Sequence, residues 1–488
     1  MFWTLLIFSV AGTAAAGPDL RLVEAARNRD RRAVQSLLKM QVDVNTPQAD
    51  GATALHWAAH RDDRDIADLL IRAGANVNAV NDLGATPLLL ACENANPGLV
   101  QLLIDAGAKP NVALSTGKTA LMTAVRTGNA DVVQLLVGHG ADVNAREALG
   151  GQTALMWASA SGHLGVTRAL IETGADVHAR SKSGFTPLLF AARAGDLELV
   201  RLLVARGADA NETASDGSSA LLVATVRGHV DVATLLLDAG ANPSADGAGY
   251  TALHWVAGTW PSQLTGSAGI VAESGEWSRL AGLEGAAQIR LIKALLAHGA
   301  NPNARLTKSP PRIGFSGFAL NLTGATPFLL AAMGDGTVMR LLAAAGADPH
   351  LATEARPFNP NVPCIGGGSG ACLSRKTTPL MVAAGFGRVL GESLVPEIGA
   401  LEAVKVAVAL GGDVNATDEA GHTAMHAAAS WGADSIVRFL ADRGASVSVK
   451  NKIGESPLMF AEGNARVSFT HTVYKSTSDL LRKLGAEN

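Results

Sequence analysis

The histidines are the first side chains to consider, since a cluster of them would indicate a general base or a metal site. The chain of 488 residues contains twelve, and nine of these recur at equivalent points of a repeating sequence pattern. The three that do not recur are His60, His422 and His471. Because they are widely separated along the chain, the sequence predicts no catalytic cluster, no metal site and no cofactor.

Two of the three cysteines, Cys364 and Cys372, lie close together in a Gly-rich segment. In an oxidising compartment we expect this pair to form a disulfide that closes a small loop. Metal binding is the weaker alternative, because no second cysteine pair or His-x-x-x-His accompanies them. Cys92 stands alone where equivalent positions carry small residues, and it is predicted to be a buried, inert thiol.

Sequence motifs of common enzymes give no support for catalysis. Residues 115–119 read Ser-Thr-Gly-Lys-Thr, but Val112 occupies the position where a phosphate-binding loop needs its first glycine. The Gly-rich run 366–370 is not followed by a helix with a lysine. Gly-x-Ser-x-Gly, His-Glu-x-x-His and Cys-x-x-Cys are absent from the sequence. The sequence therefore predicts that the protein is not an enzyme.

The elements that position these side chains are repeats of about 33 residues. Eleven segments begin with Thr or Ser followed by Ala or Pro and then Leu or a similar residue. The starting residues are Thr53, Thr86, Thr119, Thr153, Thr186, Ser219, Thr251, Thr326, Thr378, Thr423 and Ser456. A second signature, Gly-Ala-Asn/Asp-x-Asn, follows most of these starts by 21 residues, as at Gly74 and Gly140.

Each repeat is predicted to be a pair of short helices. Thr or Ser caps the first helix, and Pro in the next position suits its first turn. Glycines such as Gly128 and Gly195 end the first helix, and the Gly of the second signature ends the second. One such pair cannot bury its apolar face alone, so neighbouring repeats must stack.

The period and the Thr-Pro-Leu-His-like signature resemble the ankyrin-repeat family over residues 19–488. The resemblance implies an all-α repeat solenoid of helix-turn-helix pairs with β-hairpin-like fingers, about 12 units including caps. It also implies binding of a protein or peptide partner. We predict a signal peptide over 1–16 and a single solenoid over 17–488. Its parts are an N-terminal cap unit 19–52, regular repeats 53–250, repeats with long insertions 251–422, and the last repeat with a C-terminal cap 423–488.

Four insertions interrupt the regular spacing, at 259–286, 306–323, 353–375 and 386–397. Insertions in solenoids often form the binding face. Aromatic residues in these insertions are candidate partner contacts: Trp260, Trp277, Phe315, Phe318, Phe358 and Phe386. Alternatively, the rings fix the insertions to the body of the protein. A second alternative is an enzyme or small-molecule site assembled by the insertions, for which Glu273, Glu276, Ser278 and Glu284 are the candidates.

In relatives of this family, residues near the end of each first helix contact partners from the concave face. The resemblance makes the corresponding residues candidates here: His60, Arg61, Arg126, Arg193, Arg227 and Trp431. The arginines are expected either to bind an acidic segment or to form an ordinary solvated row. Trp57, Trp157, Phe190 and Trp255 recur one position after Leu-His, Leu-Met or Leu-Leu, where we expect core packing rather than ligand stacking.

The net charge and the N-terminal segment indicate which partners and which location to expect. The net charge of −3 argues against a nucleic-acid partner, which requires many phosphate contacts. The first 16 residues are apolar and end in Ala-Ala-Ala, too short to span a bilayer but typical of a cleaved signal. We therefore expect an exported, periplasmic or secreted monomer with no membrane span in the mature chain, or a cytoplasmic protein if this segment is not a signal.

Overall fold

The computed structural model of the protein describes residues 18–258, 283, 285–308, 322–354, 376–386, 396–465 and 472–487. The chain divides after Lys182 into two compact units, residues 1–182 and 183–488. Every element in the described residues is a short α-helix, and the helices come in pairs. The all-α repeat architecture predicted from the period is therefore confirmed, with twelve helix pairs in these ranges.

The described part of residues 1–182 contains ten helices. They are α1 Arg21–Arg27, α2 Arg31–Lys39, α3 Ala54–His60, α4 Arg64–Arg72, α5 Pro87–Glu93, α6 Pro97–Asp105, α7 Ala120–Thr127, α8 Ala130–Gly138, α9 Ala154–Ser161 and α10 Leu164–Glu172. First helices pack against first helices of the next repeat, in the order α1, α3, α5, α7, α9, and second helices do the same. Leucines such as Leu55, Leu70 and Leu121 form the continuous core between the two rows.

Residues 183–488 contain fourteen described helices. They are α11 Pro187–Ala194, α12 Leu197–Ala205, α13 Ala220–Val226, α14 Val230–Asp238, α15 Ala252–Ala257, α16 Gly285–Ala297, α17 Pro327–Ala331, α18 Gly336–Ala344, α19 Pro379–Ala383, α20 Glu397–Ala409, α21 Ala424–Ala429, α22 Asp434–Asp442, α23 Pro457–Ala461 and α24 Lys475–Lys483. The first helices again pack in sequence from α11 to α23.

Each first helix begins where the sequence predicted. Thr86, Thr119 and Thr186 accept a hydrogen bond at the side-chain oxygen from the backbone N–H three residues later. Three repeats carry His at that third position, where the ring replaces Glu of a capping box. In His56, for example, Nδ1 accepts from the Thr53 N–H at 3.1 Å and Nε2 bonds the Ala85 carbonyl of the next repeat at 3.0 Å.

Asparagines of the second signature join consecutive repeats. The Nδ2 of Asn111 donates to the Gly140 carbonyl, and its Oδ1 accepts from the Asp142 N–H, both at 2.8 Å. The same pair of bonds recurs at Asn45, Asn78, Asn144, Asn211, Asn303 and Asn415. At these seven positions the glycine turn that ends a second helix is therefore held by an asparagine of the preceding repeat.

The fingers between repeats contain no regular β-strand in the described residues. Two isolated antiparallel bridges occur, Ala113 with Thr119 and Thr213 with Ser219. Successive fingers are instead linked by single backbone hydrogen bonds, such as Asp82 N–H to the Asp50 carbonyl at 2.9 Å. A finger is thus a tight turn rather than a ladder of strand pairs.

The insertions fall largely outside the described residues. Hydrogen bonds join the residues that flank two of the insertions. The Leu306 N–H donates to the Ala325 carbonyl, and the Thr353 N–H donates to the Thr377 carbonyl. The Thr377 N–H donates in turn to the hydroxyl of Thr353. Helix α16 begins at Gly285 and α20 at Glu397, which sets the ends of two further insertions. The predicted single solenoid and its internal boundaries stay predictions, as do the signal peptide at 1–16 and the disulfide of Cys364 and Cys372, which lie outside the described residues.

Candidate partner-binding surface

Trp57 is the centre of a cluster on the first helices of residues 1–182. The guanidinium carbons of Arg27 and Arg61 lie 5.7 and 5.9 Å from the centroid of its indole. The ring of His60 meets the indole edge-on, with centroids 5.9 Å apart. These distances are those of cation–π contacts. The predicted candidates His60 and Arg61 are both exposed, and they lie together beside Trp57.

Gln48, in the finger before α3, fixes the orientation of the Trp57 indole. Its Nε1–H donates to Gln48 Oε1 at 3.1 Å, and the Gln48 amide donates in turn to the carboxylate of Asp50. The indole remains half-buried, so one part of it faces solvent. A rigid, partly exposed indole between two cations is the kind of side chain that anchors protein interfaces.

A second cluster of the same type is centred on Trp157, three repeats further along. Lys118 comes from a finger, and its Nζ lies 6.0 Å from the centroid of the half-buried Trp157 indole. Burial and the nearby positive charge of Arg126 lower the pKa of Lys118, whereas Glu93 acts in the opposite direction. Arg126, another predicted candidate, is exposed at the end of α7.

We call the six residues of these two clusters the cation–indole surface. They are Arg27, Trp57, Arg61, Lys118, Arg126 and Trp157. None of the four cations forms an ion pair with a carboxylate of the described residues. Glu93 acts on the charge of Lys118 without forming an ion pair with it.

The two indoles of this surface pack against the core, as expected, but they are less completely buried than the other two repeat-position aromatics. Phe190 and Trp255 are 5% and 3% exposed, so for them the core prediction is confirmed. Trp57 and Trp157 are only half-buried. The difference comes from the residue before the capping Thr. Tyr250 stacks on Trp255 with centroids 6.3 Å apart, whereas Ala52 occupies that position before Thr53 and has no ring to stack.

In residues 183–488 the predicted arginines are already engaged. The Arg193 guanidinium lies 4.9 Å from the centroid of Phe190 and 5.6 Å from that of Phe185. Arg227 caps the C-terminal end of α13, and both arginines are half-buried. Of the four arginines predicted as a basic row, Arg61 and Arg126 are thus exposed to solvent, whereas Arg193 and Arg227 are less accessible.

Phe386 and Trp431, the other described candidates, pack within the protein. Trp431 Nε1–H donates to the Ala384 carbonyl at 2.8 Å. Phe386 meets the His422 ring edge-on, with centroids 5.9 Å apart. For Phe386 the contact agrees with the alternative in which the aromatic rings fix the insertions to the body of the protein. Trp260, Trp277, Phe315, Phe318 and Phe358 lie outside the described residues.

His422 belongs to a buried cluster that sequence reasoning missed. Its Nδ1 pairs with the Asp418 carboxylate, and its Nε2 lies 3.0 Å from Nδ2 of Asn451. Asn451 Nδ2 also donates to the carboxylate of Glu455 at 3.1 Å. All four side chains are buried. Both ring nitrogens are engaged within the protein, so this is a hydrogen-bond chain that joins two repeats.

Two further properties concern the described part of the chain as a whole. Within it, no three His, Cys, Asp or Glu side chains are placed to hold a metal ion. None of its helices has the length and apolar character needed to cross a membrane. Cys92 is a buried free thiol, and burial raises its pKa to about 12, as expected for an inert cysteine.

The comparisons with known proteins agree with this architecture. A family model for three copies of the ankyrin repeat matches residues 22–113, 96–181, 188–259 and 393–469, which is more than half of the chain. The protein therefore belongs to the ankyrin-repeat family, whose members are generally protein–protein interaction modules. A stretch of 48 residues is 40% identical to an ankyrin repeat-containing protein of Schizosaccharomyces pombe, and it covers 10% of this chain and 23% of that relative. The matched stretch thus spans about a quarter of the relative's length.

Proposed function

We propose that the protein is a non-enzymatic scaffold that binds a protein or peptide partner through the cation–indole surface and the inserted loops. The observation that carries the proposal is the half-buried Trp57 indole held between Arg27 and Arg61. An exposed cation that lacks a carboxylate partner gains most when a partner supplies one. The indole supplies apolar area at low entropic cost, because Gln48 already fixes its orientation.

A photo-crosslinking residue at position 60 tests this surface in the full-length protein. We expect the residue that replaces His60 to crosslink a discrete partner in an extract of the native source, and the additional changes Trp57→Leu and Arg61→Ala to abolish the crosslink. The matched control places the photo-crosslinking residue at Arg168, which is exposed on α10. Equal crosslinking from positions 60 and 168 would contradict the proposal.

The inserted loops are proposed as a second part of the binding surface, because Trp and Phe are frequent interface anchors. The variant Trp260→Ala with Phe318→Ala is expected to weaken partner capture while the helical circular dichroism spectrum persists. Unchanged capture would remove these loops from the site and leave the cation–indole surface as its basis.

We further propose that the protein is exported as a monomer and that Cys364 and Cys372 are then oxidised. The apolar segment 1–16 and the spacing of the two cysteines support this proposal. Intact-mass spectrometry is expected to show an N-terminus at Gly17 and a mass two hydrogens below that of the reduced chain. An intact Met1 with free thiols would instead place the protein in the cytoplasm.

A further inference from the structure

The cation–indole surface is positively charged, whereas the protein as a whole has a small negative net charge. The chain has 40 Lys and Arg against 43 Asp and Glu, for a net charge of −3. On this surface, however, there are four cations, and none of them forms an ion pair with a carboxylate of the described residues. Two nearby acidic side chains are engaged in other contacts. Asp50 binds the Gln48 amide and the Ala52 N–H, and Asp63 caps α4.

The lowered pKa of Lys118 is a second sign that the positive charge is not compensated. Its first cause is burial, and its second is repulsion by Arg126. A carboxylate that approached between Lys118 and Arg126 would relieve the repulsion. It would also favour the charged form of the lysine.

The two clusters are arranged along a line of helices rather than around a pocket. Arg27 and Trp57 lie on α1 and α3, and Arg61 directly follows α3. Arg126 and Trp157 lie on α7 and α9. Helix α5 lies between them, because α3 packs on α5 and α5 on α7. A ligand that contacted both clusters must therefore extend across several repeats, as a peptide segment does.

From this arrangement we propose that the cation–indole surface recognises an extended acidic protein segment in which carboxylates alternate with apolar side chains. This inference rests on the proposed function and names the class of partner. Carboxylates pair with Arg61 and Arg126, and the apolar side chains contact the indoles of Trp57 and Trp157. A nucleic acid is the less favoured ligand, because its affinity depends on more phosphate contacts than four cations provide.

Fluorescence anisotropy with the full-length protein tests the proposal directly. The probes are a fluorescein-labelled oligo-Glu peptide, the same peptide with every third Glu replaced by Phe, an oligo-Lys peptide and a single-stranded oligonucleotide of similar length. We expect binding of the two acidic peptides and not of oligo-Lys. The Phe-containing peptide should bind about twofold to tenfold more tightly than oligo-Glu, which is the value of an aromatic contact. Trp57→Leu with Trp157→Leu should remove that gain.

The charge contribution is measured with a matched pair of variants. Arg61→Ala with Arg126→Ala should weaken binding of both acidic peptides about tenfold, and added salt should reduce the difference. The control is Arg32→Ala with Arg168→Ala, which removes the same charge from two exposed arginines on α2 and α10. The control is expected to change binding less than twofold, at about the level of a distant surface charge.

Three outcomes would overturn the proposal. These are equal loss in the control pair, binding of the oligonucleotide as tight as that of the acidic peptides, and no binding of either acidic peptide. The crosslink from position 60 distinguishes an error in the class of partner from an error in the proposed binding surface. If the acidic peptides fail to bind but the crosslink still depends on Trp57 and Arg61, only the acidic class is wrong. If the crosslink is also independent of them, the binding surface itself is wrong.

Discussion

His422 Nδ1 lies 3.1 Å from Oδ2 of Asp418, and both side chains are almost completely buried. The backbone N–H groups of Ala420 and His422 donate to the other carboxylate oxygen. Because the Asn451 amide nitrogen can only donate, His422 Nε2 must accept and Nδ1 must carry the proton. The carboxylate of Asp418 therefore selects the imidazole tautomer on which the next repeat depends.

Replacing the carboxylate by an amide should destabilise the last repeats. In Asp418→Asn the proton on Nδ1 no longer has a strong acceptor, and either tautomer leaves a buried donor unsatisfied. We expect a loss of about 2–4 kcal/mol in the free energy of unfolding, measured by urea denaturation. Asp413→Asn, at an exposed carboxylate in the same finger, is the control and should change stability by less than about 0.5 kcal/mol. Equal stability of the two variants would show that the Asp418–His422 pair does not support the fold.

The His422 cluster shows which features of the site could be predicted and which could not. The capping Thr residues and the buried His at the third helical position follow from local chemistry, and the structure confirms them at His56, His254 and His426. The role of His422 could not be predicted because one of its two partners, Asn451, lies in the next repeat, although Asp418 is only four residues away. A signal was nevertheless present. Asp418 and Asn451 both precede a capping residue by five positions, so stacking of two fingers brings them into register.

The degree of burial of the repeat-position aromatics could not be predicted from the repeat pattern. The pattern fixes where each aromatic ring lies in its helix, but it does not specify the residue before the capping Thr, which packs beside the ring. Phe185 covers Phe190, with centroids 5.4 Å apart. Gln152 stands in the equivalent place before Trp157, and that indole is half-buried. For the insertions, the position in the chain could be predicted but the structure could not. Their positions follow from the spacing, whereas the arrangement of their aromatic side chains depends on contacts that no repeat specifies.

Acid should destabilise the protein through the two most buried capping histidines. Burial lowers the pKa of His254 and of His426 to about 4, against about 6.5 in an unfolded chain. Folding therefore stabilises the neutral form. This stabilisation is fully present above about pH 6.5 and is lost as the pH falls towards 4. At pH 5 the expected loss is about 2 kcal/mol for each histidine.

Denaturation in urea between pH 7 and pH 5 measures this effect before most carboxylates titrate. The variant His254→Gln with His426→Gln keeps a side chain that can accept the capping hydrogen bond but cannot take up a proton. We expect it to be less stable than the native protein at pH 7 and to have a flatter pH dependence. The control is His139→Gln, at an exposed histidine directly after α8. A native-like slope in the double variant would assign the acid sensitivity to other groups.

Gly195 should tolerate alanine much less well than Gly207, although both have a positive φ, +79° and +94°. A Cβ at Gly195 would lie 2.4 Å from the His229 ring, which reaches back from the next repeat and bonds the Arg193 carbonyl through Nε2 at 3.2 Å. A Cβ at Gly207 would meet no atom within 4 Å. We expect Gly207→Ala to cost about 1 kcal/mol from backbone strain and Gly195→Ala to cost about 2–3 kcal/mol. Thermal unfolding followed by circular dichroism would test this order, and equal melting temperatures would contradict it.

Thr167 on α10 offers a stabilising substitution. Its hydroxyl is buried and has no hydrogen-bond partner among the described residues, so the folded state carries an uncompensated desolvation cost. Valine has nearly the same shape and removes that cost, and Thr167→Val is expected to raise the free energy of unfolding by about 1 kcal/mol. The matched control is Thr123→Val on α7, where the equally buried hydroxyl donates to the Thr119 carbonyl at 3.2 Å. Since that change removes a satisfied hydrogen bond, its effect should be neutral or destabilising. If urea denaturation gave the two valine variants the same change in stability, the hydroxyl of Thr167 would have a partner in solution.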